Sequence, residues 1–259
     1  MYLLIDIGNS TVVAAVATAA CDIVASWRFD TIKSEDAQYY KQHLAAGLSA
    51  TGISLETLTE SIISSVVPEI NESLASALEQ LTGKTPLFFA VSDVERHLAV
   101  DVDNKDQVGK DRLADALGAA AWYGCPAIVI DMGTATTVGV VTEDRRFVGG
   151  MIIPGVKTSS KSLCDSASQL TEIEAWEATD IVGRNTLECM QSGIILGNAC
   201  MVDGIIDRIT AQYGKEFNVV ATGGMSAVIV PHCKHKIAID KYLLFKGLFR
   251  AMVSEVADC

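Results

Sequence analysis

The chain has 259 residues, 49% hydrophobic and 20% charged, which is enough apolar material for one large or two small cores and too much for a disordered polymer. Its 20 Lys and Arg against 32 Asp and Glu leave a formal net charge of −12, a field that repels phosphodiester backbones and anionic headgroups and so argues against nucleic acid and membrane partners. No apolar run approaches the roughly 18 residues of a membrane span, Asp6 interrupts the N-terminus where a signal peptide would stay apolar, and the seven cysteines form no CxxC pair. The expectation is a cytoplasmic protein with free thiols, without a disulfide framework or a zinc ribbon.

In chain order, Ile5 to Val16 (IDIGNSTVVAAV) reads as strand, tight turn and strand, and Cys21 to Asp30 adds a third strand. Glu35 to Ala50 carries Ala37, Tyr40, Leu44 and Leu48 at helical spacing. Ser61 to Val67 is a buried strand, Pro68 to Leu81 a helix opened by proline, Pro86 to Val91 another strand, and Asp111 to Tyr123 a helix closed by Gly124. Then Ile130 to Val141 (IDMGTATTVGVV) lies over Ile5 to Val16 without a gap, and Arg145 to Ile153 supplies the strand after it. A long helix from about Asn185 to Tyr213, a strand at Phe217 to Ala221 and a last helix from about Asp240 to Val256 complete the second half. Gly193, Gly197 and Gly204 interrupt one side of the long helix, at about 1 kcal/mol each relative to Ala, which points to close packing against another backbone or to a break. The predicted architecture is α/β with a duplicated β-β-β-α-β-α-β-α order. Its halves are residues 1–123 and 124–259, divided near Gly124-Cys125-Pro126, with the last helix free to pack back on the N-terminal half.

Two Asp-x-Gly hairpins, one in each half, suggest turns whose backbone N–H groups hold a polyphosphate. Gly8 and Gly133 would admit the phosphates to the backbone, and Thr11, Thr134 and Thr136 would offer hydroxyls. Asp6 and Asp131, ending the first strands, would hold a cation, and magnesium suits carboxylates combined with phosphate oxygens. An acidic protein can bind an anion in this way, with backbone dipoles and a metal as the positive partners. Thr222-Gly223-Gly224 offers bare backbone to a base or ribose. At Val108 to Arg112, a carboxylate beside a guanidinium at a helix start could orient a hydroxyl and hold a carboxylate, or Asp111 could simply be the helix cap.

D-x-G-N at Asp6 to Asn9, G-x-D-R at Gly109 to Arg112, D-x-G-T-A-T-T at Asp131 to Thr137, G-G-x-I-x-P-G at Gly149 to Gly155, G-R-N-T at Gly183 to Thr186 and T-G-G at Thr222 to Gly224 resemble type III pantothenate kinase, in the family's order. The resemblance implies the actin-like, ribonuclease H-like ATPase fold shared by acetate and sugar kinases, Hsp70 and actin, two domains flanking an ATP cleft. It implies phosphorylation of pantothenate to 4′-phosphopantothenate, the first step of coenzyme A biosynthesis. The hairpin Asp6, Ile7, Gly8, Asn9, Ser10, Thr11, Val12 and Val13 resembles the ATP phosphate loop, and Thr134 the second ATP contact. Gly109, Lys110, Asp111, Arg112 and Thr186 resemble the pantothenate site, with Asp111 as catalytic proton acceptor. Asp131 resembles the ligand of a monovalent cation, potassium or ammonium, required besides magnesium, with Asp6 at the magnesium end. The family's pantothenate pocket is completed across a homodimer interface.

The chain departs from the family's pattern where a Tyr-x-Asn-Pro is replaced by Val102-Asp103-Asn104-Lys105, at Ser10 in place of threonine, and at Gly139 in place of an acidic residue. Two other classes compete. An actin-like or Hsp70-like nucleotide switch needs insertions for which 259 residues leave little room. A catalytically silent, nucleotide-binding regulatory relative would fit the missing tyrosine, against which stand the intact Asp111 and Arg112. His232, Cys233 and His235 fit no zinc spacing and read as a surface loop. Trp27, Trp122 and Trp176 read as packing residues.

Overall fold

A computed structural model describes residues 1–253 except 168, 171, 174, 175 and 179, and divides into two compact units, Met1–Ala121 with the C-terminal helix from Tyr242, and Trp122–Lys241. The first unit contains β1 (Tyr2–Ile7), β2 (Thr11–Ala17), β3 (Ile23–Asp30), α1 (Ala37–Thr51), β4 (Glu60–Ser65), α2 (Asn71–Thr82), β5 (Leu87–Phe88), α3 (Val91–Glu95), β6 (Ala99–Val100) and α4 (Lys110–Trp122). Its sheet runs β3-β2-β1-β4-β5, antiparallel through the hairpins and parallel from β1 to β4 and β5.

Period-two alternation sorts the β1 side chains onto two faces. Leu3, Ile5 and Ile7, with Val12, Ala14 and Val16 of β2, pack on Tyr40, Leu44 and Leu48 of α1 and Leu74, Ala77 and Leu78 of α2. Asp36 caps α1 by accepting from the amides of Gln38 and Tyr39, and glycines in the left-handed region, Gly52 and Gly83, end both helices. The C-terminal helix serves the other face, where Phe249 meets Tyr2 edge-on at 5.3 Å between ring centroids. That helix also lies backbone to backbone on α4, because a Cβ at Gly247 would stand 1.8 Å from the Ala114 carbonyl oxygen and one at Gly118 would stand 2.5 Å from that of Leu243.

The second unit contains β7 (Ala127–Met132), β8 (Ala135–Val141), β9 (Arg146–Pro154), α5 (Val156–Ser166), α6 (Thr186–Gln191), α7 (Gly197–Tyr213), β10 (Asn218–Thr222), α8 (Ser226–Ile229) and β11 (Ala238–Ile239), and α9 (Leu243–Met252) is the C-terminal helix of the first unit. Its strands follow the order β11-β10-β7-β8-β9, the same winding as β5-β4-β1-β2-β3. Ile128, Ile130, Met132, Val138 and Val140 pack on Ala199, Val202, Ile206 and Ile209 of α7. The duplication read from the sequence is therefore a duplication of topology.

Four expectations are corrected. The repeat is not ungapped in space: Ile7 pairs with Val12, but Met132 pairs with Thr136, so the second turn is one residue shorter. A one-residue slip reverses every side chain, and Thr136, aligned with Thr11 in sequence, takes the buried place of Val12 at 1% exposure. Its hydroxyl is not at the turn. The strand predicted over Pro86 to Val91 shrinks to Leu87–Phe88, because α3 begins at Val91 with the Asp93 carboxylate accepting from the Ala90 amide at 2.8 Å. The long helix is interrupted by a π-helical segment over Ser192–Leu196, and among the described residues a Cβ at Gly193, Gly197 or Gly204 would meet nothing within 4 Å, so the close-packing expectation is not met there. The run Thr186–Tyr213 is, with 28 residues, long and apolar enough to cross a membrane by length and composition, contrary to the reading of the sequence, but it lays Ala199, Val202, Ile206 and Ile209 on the core. Trp27 and Trp176 pack on the two cores.

The α4–α9 contact generates a stability prediction. Gly247→Ala should lower the unfolding free energy by about 1–3 kcal/mol, the usual cost of overpacking, measured by urea denaturation; unchanged stability would mean that the helices do not touch at Gly247.

Candidate functional site

The first hairpin owes its shape to Gly8, whose N–H donates to the Thr11 carbonyl at 3.0 Å and whose Cβ, if it had one, would stand 3.2 Å from the same oxygen. The Thr31 hydroxyl donates to the Gly8 carbonyl at 2.8 Å and the Thr31 amide to that of Ser10 at 3.1 Å, so β3 braces the turn from outside. Asn9 and Ser10 stand exposed at the tip, Thr11 and Val13 are half-buried, and Ile7 and Val12 lie in the core, so the turn offers its backbone and the polar side chains of Asn9, Ser10 and Thr11. Asp6 is half-buried one residue before the strand end and in register with Ser64 of β4.

Gly109, Lys110, Asp111 and Arg112 open α4 in the same unit, all half-buried. The Gly109 carbonyl accepts the first helical bond from the Leu113 amide at 3.2 Å. The Asp111 carboxylate accepts from the Arg112 amide at 2.8 Å and folds over Gly109, where a Cβ would stand 2.3 Å from its Oδ1. It thus serves the positive helix terminus and occupies a position that requires glycine two residues earlier. Burial pushes the Arg112 guanidinium below its ordinary range while the neighbouring Asp111 pulls it back up, and a guanidinium so far above neutrality stays charged. The divergent stretch ahead of this motif is an exposed loop: the Asn104 side chain accepts from the Asp106 amide at 3.2 Å and Lys105 pairs with Glu95.

In the second unit the tip of the shorter hairpin is enclosed by two glycines. Gly155 follows the PG turn so closely that a Cβ would stand 2.3 Å from the Thr134 carbonyl oxygen, which accepts from the Gly155 amide at 3.2 Å and from the Thr158 hydroxyl at 2.7 Å. Gly223 has φ +84°, and a Cβ there would lie 2.4 Å from Asp131 Oδ1 and 2.5 Å from the Met132 carbonyl carbon. The Met225 amide then donates to the Met132 carbonyl at 3.2 Å. The T-G-G turn, the Asp131 carboxylate and the hairpin thus form one contact. Thr158 was not apparent in the sequence; a hydroxyl three residues after a PG turn is the signal that points to it.

Thr186 begins α6, with Asn185 as its cap accepting from the Glu188 amide at 3.0 Å and Glu188 in turn accepting from the Arg184 amide at 2.7 Å. Gly183 must be glycine here, since a Cβ would stand 2.4 Å from the Cys189 nitrogen. Thr186 lines an apolar hollow of about 380 Å³ with Leu163, Leu170, Cys189, Met190 and Ile194, and it is not brought near Asp131 or Thr134 by any contact described. Among the described residues no three His, Cys, Asp or Glu side chains converge as a metal cage, and His235 is paired with Asp207 at 2.8 Å.

The family profile described as type III pantothenate kinase matches residues 2–208. A type III pantothenate kinase of Halalkalibacterium halodurans is 35% identical over 248 residues, covering 96% of this chain and 97% of that protein. Among solved structures, a Campylobacter jejuni protein described as a conserved Baf family transcriptional activator aligns with TM-score 0.63 at 16% identity over 96% of both chains. The ROK hexokinase of Thermus thermophilus aligns with TM-score 0.50 at 12% identity, again over 96% of both. Likeness at such identities carries the fold alone, that of actin-like ATPases and sugar kinases.

The contact at Gly223 predicts that Gly223→Ala lowers stability by about 1–3 kcal/mol through its left-handed backbone and turnover about a hundredfold through displacement of Asp131. Gly224→Ala, where a Cβ meets nothing within 4 Å, should keep wild-type stability. Thermal melts and steady-state rates check both; equal behaviour of the two variants would contradict the contact.

Proposed function

The chain belongs to the type III pantothenate kinase family, and from that membership we propose how its residues divide the transfer of the ATP γ-phosphoryl group to the primary hydroxyl of pantothenate. The activity is that of the family: an ATP-dependent kinase making 4′-phosphopantothenate, the first step of coenzyme A biosynthesis. The competing reading as a silent regulatory relative is not favoured.

Asp111 is the proposed catalytic residue. The observation that carries this reading is its carboxylate beside the half-buried Arg112 at the α4 terminus. The pantothenate hydroxyl oxygen bonds to the γ-phosphorus as the bond to the bridging oxygen of ADP breaks, and the hydroxyl proton passes to Asp111. In a loose transition state the incoming oxygen gains little charge early, so orientation matters more than base strength. Arg112, with Gly109 and Lys110, holds the pantothenate carboxylate. The backbone from Asp6 to Val13 and Thr134 are assigned to the ATP phosphates.

The residues present fit the implied ions. With no protein cage among the described residues, a single carboxylate shared with phosphate oxygens and water suits magnesium, and Asp6 is assigned to it. Asp131, backed by Gly223 and flanked on its sheet face by Thr137 and Thr222, offers oxygen donors suited to potassium or ammonium. When bound, such ions neutralise charge on the phosphate oxygens.

We also infer a homodimer. Leu163 shares a hollow with Thr186, Leu187 follows it in the chain and Ile181 and Val182 precede it by a few residues, all 40 to 75% exposed, and the glycines of the adjoining helix leave its backbone open. A second copy covering this face would complete the pantothenate pocket at Thr186. The net charge of −12 argues against nucleic acid and anionic membrane partners.

Asp111→Asn should reduce turnover roughly a hundredfold or more while nucleotide binding, read by calorimetry, persists. Turnover equal to wild type would leave Asp111 as a helix cap only. Diluting the enzyme through its dimer dissociation range should abolish activity in step with dissociation seen by light scattering; a fully active monomer would refute the shared pocket.

A further inference from the structure

The Ser64 hydroxyl is fully buried, and among the described residues it has no hydrogen-bond partner. Buried hydroxyls without partners are rare enough to require a reason. Ser64 sits near the carboxyl end of β4 in parallel register with Asp6 of β1, one residue before each strand ends. Residues in register on neighbouring strands point to the same face, with strands about 4.8 Å apart, so the hydroxyl lies within reach of the Asp6 carboxylate after a change of rotamer. The face is the one opposite the α1–α2 core, since Leu3, Ile5 and Ile7 fill that core and Asp6 alternates with them.

The duplication repeats the arrangement. Asp131 is in parallel register with Thr222 of β10, as Asp6 is with Ser64, so each half places a hydroxyl residue on the strand beside its acidic one. This occurs although the two hairpin turns differ in length and the antiparallel neighbours differ in kind, Val13 beside Asp6 and Thr137 beside Asp131. The feature common to both units is the hydroxyl on the parallel strand.

We infer that Ser64 is a positioning residue for the Asp6 carboxylate, donating its hydrogen bond to that group when magnesium-nucleotide is bound. Resting on the proposed role of Asp6 toward the magnesium-phosphate end, the inference assigns Ser64 the task of holding one carboxylate oxygen so that the other faces the ion. Ser64 touches no reacting atom and acts through Asp6.

The test is a double-mutant cycle on the intact enzyme, with Asp6→Asn, Ser64→Ala and the double variant titrated by calorimetry with ADP at several magnesium concentrations and no pantothenate. Ser64→Ala should weaken magnesium-ADP binding about tenfold, the size of a hydrogen bond to a charged group, and Ser64→Thr, which keeps the hydroxyl, should restore most of it. In the Asp6→Asn background the Ser64→Ala effect should vanish. The melting temperature of nucleotide-free Ser64→Ala should be equal to or above wild type, because the change removes a buried polar atom lacking a partner; a purely structural role would lower it. Unaltered binding in Ser64→Ala, or equal weakening in both backgrounds, overturns the inference. Asp6→Asn binding magnesium-ADP as well as wild type would instead overturn the reading of Asp6.

Discussion

The close approach of bare backbone to one carboxylate, Gly223 against Asp131, is the constraint on which the second half of the site depends. A protein with a net charge of −12 has few cations to spare for a polyanion. Oriented amides are the alternative, and they require glycine where a side chain would stand between backbone and ligand. Gly155 performs the same service at the Thr134 carbonyl, and Gly109 under the Asp111 carboxylate. At Gly109, Gly155, Gly183 and Gly223 the glycine motifs are statements about distance, since an added Cβ would stand under 3.0 Å from a neighbouring atom.

The α4 terminus shows how structural and chemical roles coincide. Asp111 accepts a first-turn amide, as a cap does, and this fixes the carboxylate in place. Arg112 is drawn below its ordinary range by burial and held by the adjacent carboxylate. A half-buried guanidinium in that setting gains most when a second anion approaches, and the proposed role of Arg112 rests on that. The hydrogen bond at the helix terminus and the proposed catalytic role call on the same Asp111 carboxylate.

Much of this is legible in the sequence. The repeat of Ile5 to Val16 at Ile130 to Val141 implied a duplicated β-β-β-α-β-α-β-α order, and the strands β5-β4-β1-β2-β3 and β11-β10-β7-β8-β9 wind alike. The sequence could not reveal the one-residue slip, because Thr11 and Thr136 align by identity while burial is decided by turn length; only the ladder shows Thr136 in the place of Val12. Pattern also overstated β5, since an apolar run can be cut short by a local capping bond such as that from Ala90 to Asp93. Gly193, Gly197 and Gly204 pointed to close packing or to a break; among the described residues nothing lies within 4 Å of a Cβ there, and the π-helical segment at Ser192–Leu196 is the irregularity that helical periodicity blurs. Ser64 escaped notice because a serine among Ile62, Ile63 and Ser65 looks like an ordinary strand residue until its register with Asp6 is known.

The central claim is that these elements move a phosphoryl group from ATP to the pantothenate hydroxyl. Phosphorus NMR on the wild-type enzyme with ATP, magnesium and potassium, recorded with and without pantothenate, tests it most directly. The account predicts a phosphomonoester resonance growing in step with ADP only when pantothenate is present. ADP formed at the same rate without pantothenate, with inorganic phosphate as the sole other product, would contradict it.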